Sequence, residues 1–299
     1  MQRPLALLFC TATVAACAAP KTPSAGEPHA VAHAGCEEPS STAASVPASA
    51  TAALDTAPAA APSLDPALPP AMLVLGEASA APTLAPSVRI ESPAANAHVA
   101  PDASVTLNVG NWPTAEGAAH VHLILDNQPY KPIYNTAAAV PLRDLNGGNE
   151  LSPGPHVLVA FASRANHESV KQPGALAVTP FVVGPTPATT EAPKAFLIYS
   201  RPKGTYAGPQ ANHVLVDFQL SGVALGDKGS SVSIEVRGDK LAAPLRARAT
   251  QFGKPYYLEN LPSGTYELEL QLLDANAKPV DGAWNKTLRT IVIDRTKKP

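Results

Sequence analysis

Four polar residues in two short segments have the types and spacing of a transition-metal site. His120 and His122 are two residues apart, and His167 is followed directly by Glu168. Zinc and copper favour imidazole nitrogens, and a carboxylate oxygen is a common further ligand. A His-x-His pair on a strand is equally typical of a hydrogen-bonded surface pair, so the spacing leaves both interpretations open. The metal interpretation names His120, His122, His167 and Glu168 as ligands of zinc or copper.

The sequence carries no motif of a known catalytic site. It has no Gly-x-Ser-x-Gly, no phosphate-binding glycine loop and no His-Glu-x-x-His. Ser163 and Ser169 are near His167 in sequence, but nucleophilic catalysis needs a base positioned in space. Arg164, Glu168 and Lys171 can instead form an ion-pair network that holds a hairpin. We therefore expect a protein that is not an enzyme.

Composition limits the classes of partner. A formal net charge of −2 gives no reason to expect nucleic acid, which selects basic surfaces. An envelope protein or a glycan remains a candidate partner. The aromatic residues that could stack on a sugar are Trp112, Tyr130, Tyr134, Tyr256, Tyr257 and Trp284. They form no continuous platform in the sequence, and we expect Tyr130 and Trp284 to pack at sheet edges.

The elements that must position these residues are β-strands, because residues 86–295 consist of short alternating runs separated by Gly, Pro, Asn and Asp. This part of the chain also repeats itself with an offset of about 110 residues, close to one immunoglobulin-like domain. The matched segments are Ser92-Pro93 with Arg201-Pro202, Val105–Val109 with Val214–Phe218, His120–Leu125 with Ser231–Val236, Leu151–His156 with Leu261–Tyr266, and Phe181–Val183 with Ile291–Ile293. The sequence predicts an all-β fold of two tandem immunoglobulin- or fibronectin-III-like β-sandwiches, at 86–185 and 193–295.

The repeat also assigns the faces of the strands, since alternate residues of a strand point to opposite sides of a sheet. In the second repeat Tyr266 must point into the core, because Glu267 cannot. The pattern Leu-x-x-Gly-x-Tyr around Tyr266 is typical of the tyrosine corner of these sandwiches. His156 takes the equivalent position, so we expect it to point inward and to bond nearby backbone, away from His120 and His122.

The outer face of the first sandwich is then unusually apolar. An apolar outer face marks an interface, either with a ligand or partner or with the second sandwich. The candidate binding face comprises His120, His122, Ile124, Val157, Val159, Phe161, Arg164, His167, Glu168 and Lys171.

The N-terminal residues predict a secreted, lipid-anchored protein. Residues 1–16 combine Arg3 with a short apolar run, as in a signal peptide. Val14-Ala15-Ala16-Cys17 resembles a bacterial lipobox, which would make Cys17 the lipidated N-terminus; a plain signal peptide is the alternative. The expected location is the cell envelope, anchored to the outer membrane.

Residues 17–85 are rich in Ala, Pro, Ser and Thr, a composition that buries too little apolar surface to fold. We predict a disordered tether. For its one apolar segment, Met72–Leu75, the alternative interpretation is a short edge strand that docks on a sheet.

Residues 90–294 resemble a group of uncharacterised secreted two-sandwich proteins of cyanobacteria and other Gram-negative bacteria. Three motifs carry the resemblance: His120-x-His122-Leu-Ile-Leu-Asp-Asn-Gln-Pro-Tyr130, Ala162-Ser-Arg164 with His167-Glu168-Ser169-x-Lys171, and Tyr199-Ser-Arg201-Pro-x-Gly204-x-Tyr206. This chain has Ala165-Asn166 where the group has Pro-Trp, which weakens any stacking role there. The resemblance implies the same fold and an envelope location but no reaction.

Together these features predict a lipid-anchored cell-envelope module that binds a partner or has a structural role, without catalysis and without a cofactor. The alternative is a periplasmic zinc- or copper-binding protein that uses His120 and His122 with His167 and Glu168.

Overall fold

The computed structural model describes residues 68–185 and 190–297 of the chain. These residues form four β-sheets in two tandem β-sandwiches, so the predicted all-β fold is confirmed. The predicted signal peptide 1–16, Cys17 and most of the predicted tether lie outside the described residues. Within the described ranges, no helix has the length and apolar character needed to cross a bilayer.

The first sandwich follows a short strand, β1 (Met72–Leu75), that belongs to the second. Its strands are β2 (Ser87–Ser92), β3 (His98–Val99), β4 (Ser104–Gly110), β5 (His120–Leu125), β6 (Lys131–Ile133), β7 (Val140–Pro141), β8 (Gly154–Ser163) and β9 (Leu176–Val183), with a 3₁₀ helix at Leu142–Leu145. One sheet has the order β2-β4-β7 and the other β3-β9-β8-β5-β6. The core between them contains Val105, Leu123, Leu158 and Phe181.

The second sandwich repeats this plan. Its strands are β10 (Phe196–Arg201), β11 (Gly204–Ala207), β12 (His213–Ser221), β13 (Ser231–Arg237), β14 (Leu245–Ala249), β15 (Tyr256–Glu259), β16 (Gly264–Leu273) and β17 (Lys286–Asp294), with a 3₁₀ helix at Gly208–Asn212. The sheet orders are β1-β15-β12-β10 and β11-β17-β16-β13-β14. In β16 the inward residues, such as Tyr266 and Leu270, alternate with less buried Glu and Gln, as the sequence pattern predicts.

The end of the predicted tether is part of this fold. Met72–Leu75 pairs antiparallel with β15 over its whole length and extends the sheet by one edge strand, which was the alternative interpretation. A disordered state is therefore the wrong prediction for this segment. Its backbone groups are bonded to β15, and Leu73 packs against the second core. A fragment starting at residue 86 would lack this strand.

The predicted faces of β5 and β8 are confirmed. The two strands are antiparallel neighbours, and His122 lies opposite Phe161 and Ile124 opposite Val159. Val121 and Leu123 point into the first core, whereas Ile124 belongs to a separate cluster on the other side of the sheet. All six residues of β5 are buried, the pattern of a strand that is covered on both faces.

The second sandwich covers that outer face. Ile124, Val159 and Phe161 pack against side chains of the second repeat in one buried cluster, whose other members are Tyr130, Phe196, Ile198 and Trp284. The docking interpretation is therefore the correct one for the aliphatic part of the face. The prediction of an open binding surface is therefore wrong for Ile124, Val159 and Phe161, because the second sandwich buries these side chains away from water.

His156 takes the tyrosine-corner position, as predicted. Its Nε2 lies 2.8 Å from the carbonyl oxygen of Ser152, and the Tyr266 hydroxyl lies 2.8 Å from that of Pro262, in each case four residues earlier in the chain. His156 also donates from Nδ1 to the carboxylate of Asp126 at 2.5 Å. Both ring nitrogens face acceptors, an arrangement that suits the imidazolium form.

The pair of His156 and Asp126 should make the stability of the fold fall as pH rises above 6.5. The hydrogen bond to Asp126 is the main cause that raises the pKa of His156 above its ordinary value of 6.5. A raised folded-state pKa contributes stability that is present below pH 6.5 and is lost as pH rises through the folded value. Asp126→Asn keeps a residue type that tolerates the left-handed backbone at this position (φ 46°) and removes the charge. We expect wild type to exceed this variant by about 0.2–1 kcal/mol at pH 6 and by less at pH 9 in urea unfolding. A difference that stays constant with pH would contradict the assignment.

Candidate metal centre

Two elements bring three histidines together at the end of the sheet. His120 and His122 are alternate residues of β5 on its outer face, and both side chains are fully buried. His167 lies in the turn after β8, closed by a hydrogen bond from the Arg164 amide to the Glu168 carbonyl. His167 adopts a left-handed backbone conformation (φ 68°), which is uncommon for a non-glycine residue and is found most often where the surrounding structure requires it.

The ring nitrogens of these histidines converge. Nε2 of His120 lies 2.9 Å from Nδ1 of His167 and 3.0 Å from Nε2 of His122, and the third side of the triangle, His122 to His167, is 3.3 Å. Zinc with tetrahedral nitrogen ligands at about 2.0–2.1 Å has nitrogens about 3.3 Å apart. The triangle therefore has nearly the size of one face of a zinc coordination tetrahedron.

Hydrogen bonds between neutral rings cannot satisfy all three contacts. Nδ1 of His120 lies 2.8 Å from the Ala118 carbonyl, which can only accept, so Nδ1 carries the proton and Nε2 presents a lone pair. If His122 and His167 both donate to His120, their own contact brings two N–H groups together. If His122 donates to His167, or His167 to His122, the nitrogen that accepts presents a lone pair to the lone pair on Nε2 of His120. A cation between the three nitrogens would satisfy every lone pair.

Hydrogen bonds to neighbouring groups hold the histidine rings in the way that is typical of metal ligands. A ligating histidine usually bonds a carbonyl, carboxylate or other polar group through its second nitrogen, which sets the tautomer and the ring orientation. His120 does so with Ala118, and Nδ1 of His122 lies 3.2 Å from the hydroxyl of Ser200 on β10. The His122 ring also stacks on Tyr130, with centroids 3.5 Å apart.

The electrostatic environment keeps these imidazoles neutral. Burial lowers the pKa of His120 and lowers that of His122 well below its ordinary range. Burial, and then the charge of Arg201, lowers the pKa of His167 to about 3. The neutral imidazole is the form that ligates metals, so near neutral pH no proton has to leave before a metal binds.

Sequence reasoning missed the cations of the centre. Arg201 and Lys203 come from the second sandwich, and the Lys203 ammonium lies 3.8 Å from the centroid of Tyr130 and 2.6 Å from its carbonyl oxygen. Burial lowers the pKa of Lys203 to about 8. Within the described residues neither cation pairs with a carboxylate. The one available signal was the motif Tyr199-Ser-Arg201-Pro-x-Gly204-x-Tyr206, which carries charge next to a predicted strand.

The other predicted site residues have different contacts. Glu168 is not a fourth ligand, because its carboxylate accepts from the amide and hydroxyl of Ser79 at 3.2 and 2.5 Å. Arg164 donates to the Ala80 carbonyl, and Lys171 pairs with Asp217 on β12. The predicted ion-pair network among Arg164, Glu168 and Lys171 is therefore wrong. Each residue instead ties the turn to the chain before β2 or to the second sandwich.

Comparisons with known proteins find only distant structural similarity. No protein-family model and no curated protein matches the chain. Among solved structures, fibronectin(III)-like modules of Clostridium thermocellum CbhA are 14% identical with a TM-score of 0.25, over 71% of this chain and 97% of that one. The FN1–FN3 domains of chicken CNTN1 are 10% identical with a TM-score of 0.23, over 71% and 68%. A Streptomyces avermitilis alpha-L-rhamnosidase is 14% identical with a TM-score of 0.21, over 67% and 25%. At this level of similarity, no function transfers to this chain.

Proposed function

We propose that this protein binds one transition-metal ion, zinc or copper, through His120, His122 and His167. The observation that carries the proposal is the triangle of three ring nitrogens with sides of 2.9, 3.0 and 3.3 Å. The burial that keeps the rings neutral and the contacts of the second ring nitrogens of His120 and His122 support it. Three imidazoles leave at least one coordination position for another ligand.

The predicted lipid anchor would place this metal binding in the cell envelope. Cys17 and the tether would hold the two sandwiches on the envelope side of a membrane, where a metal-binding or structural module without catalysis would act. The resemblance to secreted two-sandwich proteins supports the same location. Metal binding would also fasten the turn that carries His167 onto β5 within the first sandwich.

The test is a metal titration of the full-length chain purified in detergent, after removal of metal with a chelator. Zinc is measured by competition with a chromophoric chelator, and cobalt by its visible absorption, which reports tetrahedral coordination. We expect one ion per chain with micromolar or tighter affinity. His167→Asn should weaken binding by about 100-fold or more, because losing a ligand costs at least as much as losing a supporting residue.

The choice of asparagine keeps the test interpretable. Asparagine tolerates the left-handed conformation of His167, so the turn should persist. The matched control is His98→Asn, since His98 is exposed, lies outside the triangle and bonds the Gly184 carbonyl. His29 and His33 are unchanged in both variants, so binding by the N-terminal segment would survive His167→Asn. Wild-type affinity in that variant, or no bound metal in wild type, would refute the proposal.

A further inference from the structure

The proposed metal site has positive side chains beside it and, within the described part of the chain, no negative ligand to balance the charge of a metal ion. The Arg201 guanidinium lies 5.3 Å from the centroid of Tyr130, the ring that stacks on His122, and Arg201 lines one cavity together with His167. Lys203 adds a second positive charge, and the three ligating groups are neutral. A divalent ion would therefore enter a site that already has positive potential, and an anion bound beside it would relieve the repulsion.

Arg201 has unused hydrogen-bonding capacity. One terminal nitrogen donates to the Tyr206 hydroxyl at 3.0 Å, while its Nε is buried with no partner among the described residues. A buried donor without an acceptor is costly, so its persistence calls for an explanation such as a bound water, ion or ligand. A guanidinium group presents N–H donors in a planar fork that matches the two oxygens of a carboxylate.

A cavity is lined by both this arginine and His167 of the histidine cluster. It has a volume of about 320 Å³ and is lined by His167, Arg201, Tyr206 and Gln210 among others. That volume is at the lower end of the range for small-molecule sites. It therefore suits a small organic acid better than a polymer or a large cofactor.

We propose that the bound metal takes a small organic carboxylate as its additional ligand, entering from this cavity and held by the Arg201 guanidinium. The proposal rests on the proposed metal function and names the class of ligand that the metal centre recognises. One carboxylate oxygen would ligate the metal and the other would accept from Arg201. The anion would supply a negative charge beside Arg201 and Lys203, with which no carboxylate of residues 68–185 and 190–297 forms an ion pair.

The experiment uses the full-length chain loaded with cobalt, and acetate as the probe. Acetate should shift the visible absorption saturably, while acetamide, its neutral counterpart, should not. Arg201→Gln should weaken acetate binding about 10-fold or more, the loss expected for a hydrogen bond between charged groups. The same variant should bind zinc as tightly as wild type or more tightly, because a repelling charge has been removed.

These opposite shifts separate the role of Arg201 from a structural one. A misfolded centre would lose metal and acetate together, which would overturn the proposal for Arg201. Arg201→Lys keeps the charge without the fork and should give an intermediate acetate affinity. Arg246→Gln, at an exposed position, is the matched control. Cobalt binding without any response to acetate, or an equal response in Arg201→Gln, would refute the carboxylate and leave the metal site standing. Failure of cobalt to bind would refute the metal function itself.

Discussion

Replacing Phe161 with alanine should lower the free energy of unfolding by about 3–5 kcal/mol. Its ring is fully buried between the outer face of the first sandwich and the second sandwich. The loss combines the lost burial of an aromatic ring with the cavity that remains, because Phe196 and Trp284 are themselves packed in the cluster and cannot close the gap fully. Urea unfolding of the full-length chain gives the value.

The same substitution should change how the two sandwiches unfold. The shared apolar cluster couples them, so we expect wild type to unfold in one transition and the variant to show a broader or divided one. Trp284 is almost fully buried in the cluster, and its fluorescence should shift to longer wavelength as water enters. Phe252→Ala is the matched control, because 40% of that side chain is already exposed. The free energy of unfolding lost in Phe252→Ala should be well under half of that lost in Phe161→Ala.

If the two substitutions cost the same, the cluster does not hold the sandwiches together. In that case docking would depend on the polar contacts alone, and the two sandwiches of the Phe161→Ala chain would still melt as one unit. A large loss confined to Phe161→Ala establishes the cluster as the main attachment.

The sequence was sufficient for the sandwiches and for the faces of their strands. Alternation and the repeat are local signals: Tyr266 cannot exchange faces with Glu267, and that choice fixes His156 in the other repeat. The same logic placed His120 and His122 on the outer face beside Phe161. A one-residue slip would have reversed every one of these assignments, which is why such assignments are reliable.

The sequence was insufficient for what covers that face. The alternation of residues shows that Ile124 and Phe161 point away from the first core. It contains no information about which surface they pack against. That surface is β10, in the second sandwich. The contacts of Arg201 and Lys203 with Tyr130, beside the histidine cluster, depend on the same docking and could not be predicted from either repeat alone.

Glu168 shows the limit for a single side chain. Its position next to His167 made it a reasonable ligand, but adjacent residues in a tight turn point in different directions. His167 turns toward β5, and Glu168 meets Ser79, a residue 89 positions earlier in the chain. That partner lies in a segment whose composition predicted disorder, so no local pattern could have found the contact.

Asp217→Ala should be the other strongly destabilising substitution, with a loss of about 3–5 kcal/mol. The Asp217 carboxylate accepts from the Lys171 ammonium at 2.6 Å and from the Ser169 hydroxyl at 2.6 Å, and its own side chain is 2% exposed. It also accepts from the Ser169 amide at 3.2 Å. Alanine would leave the largely buried Lys171 ammonium without its counter-ion and the amide and hydroxyl of Ser169 without their acceptor. The cost of leaving such groups unpaired is larger than the net value of the bonds.

Two further variants separate charge from geometry. Asp217→Asn keeps one oxygen acceptor and the side-chain shape, so its loss should be smaller than that of alanine. The double variant Asp217→Leu with Lys171→Met removes both charges and should recover most of the stability, since a buried ion pair is often no better than well-packed apolar side chains. Urea unfolding of the three variants gives the order.

The double variant also tests whether this contact positions the metal centre. Lys171 and Ser169 follow the turn that carries His167, and Asp217 holds them against the second sandwich. If the ion pair sets the position of the turn, the double variant should regain stability while zinc affinity stays about 10-fold or more below wild type, the size of a lost supporting contact. If stability and zinc affinity recover together, the apolar cluster alone is enough to place His167 beside His120 and His122.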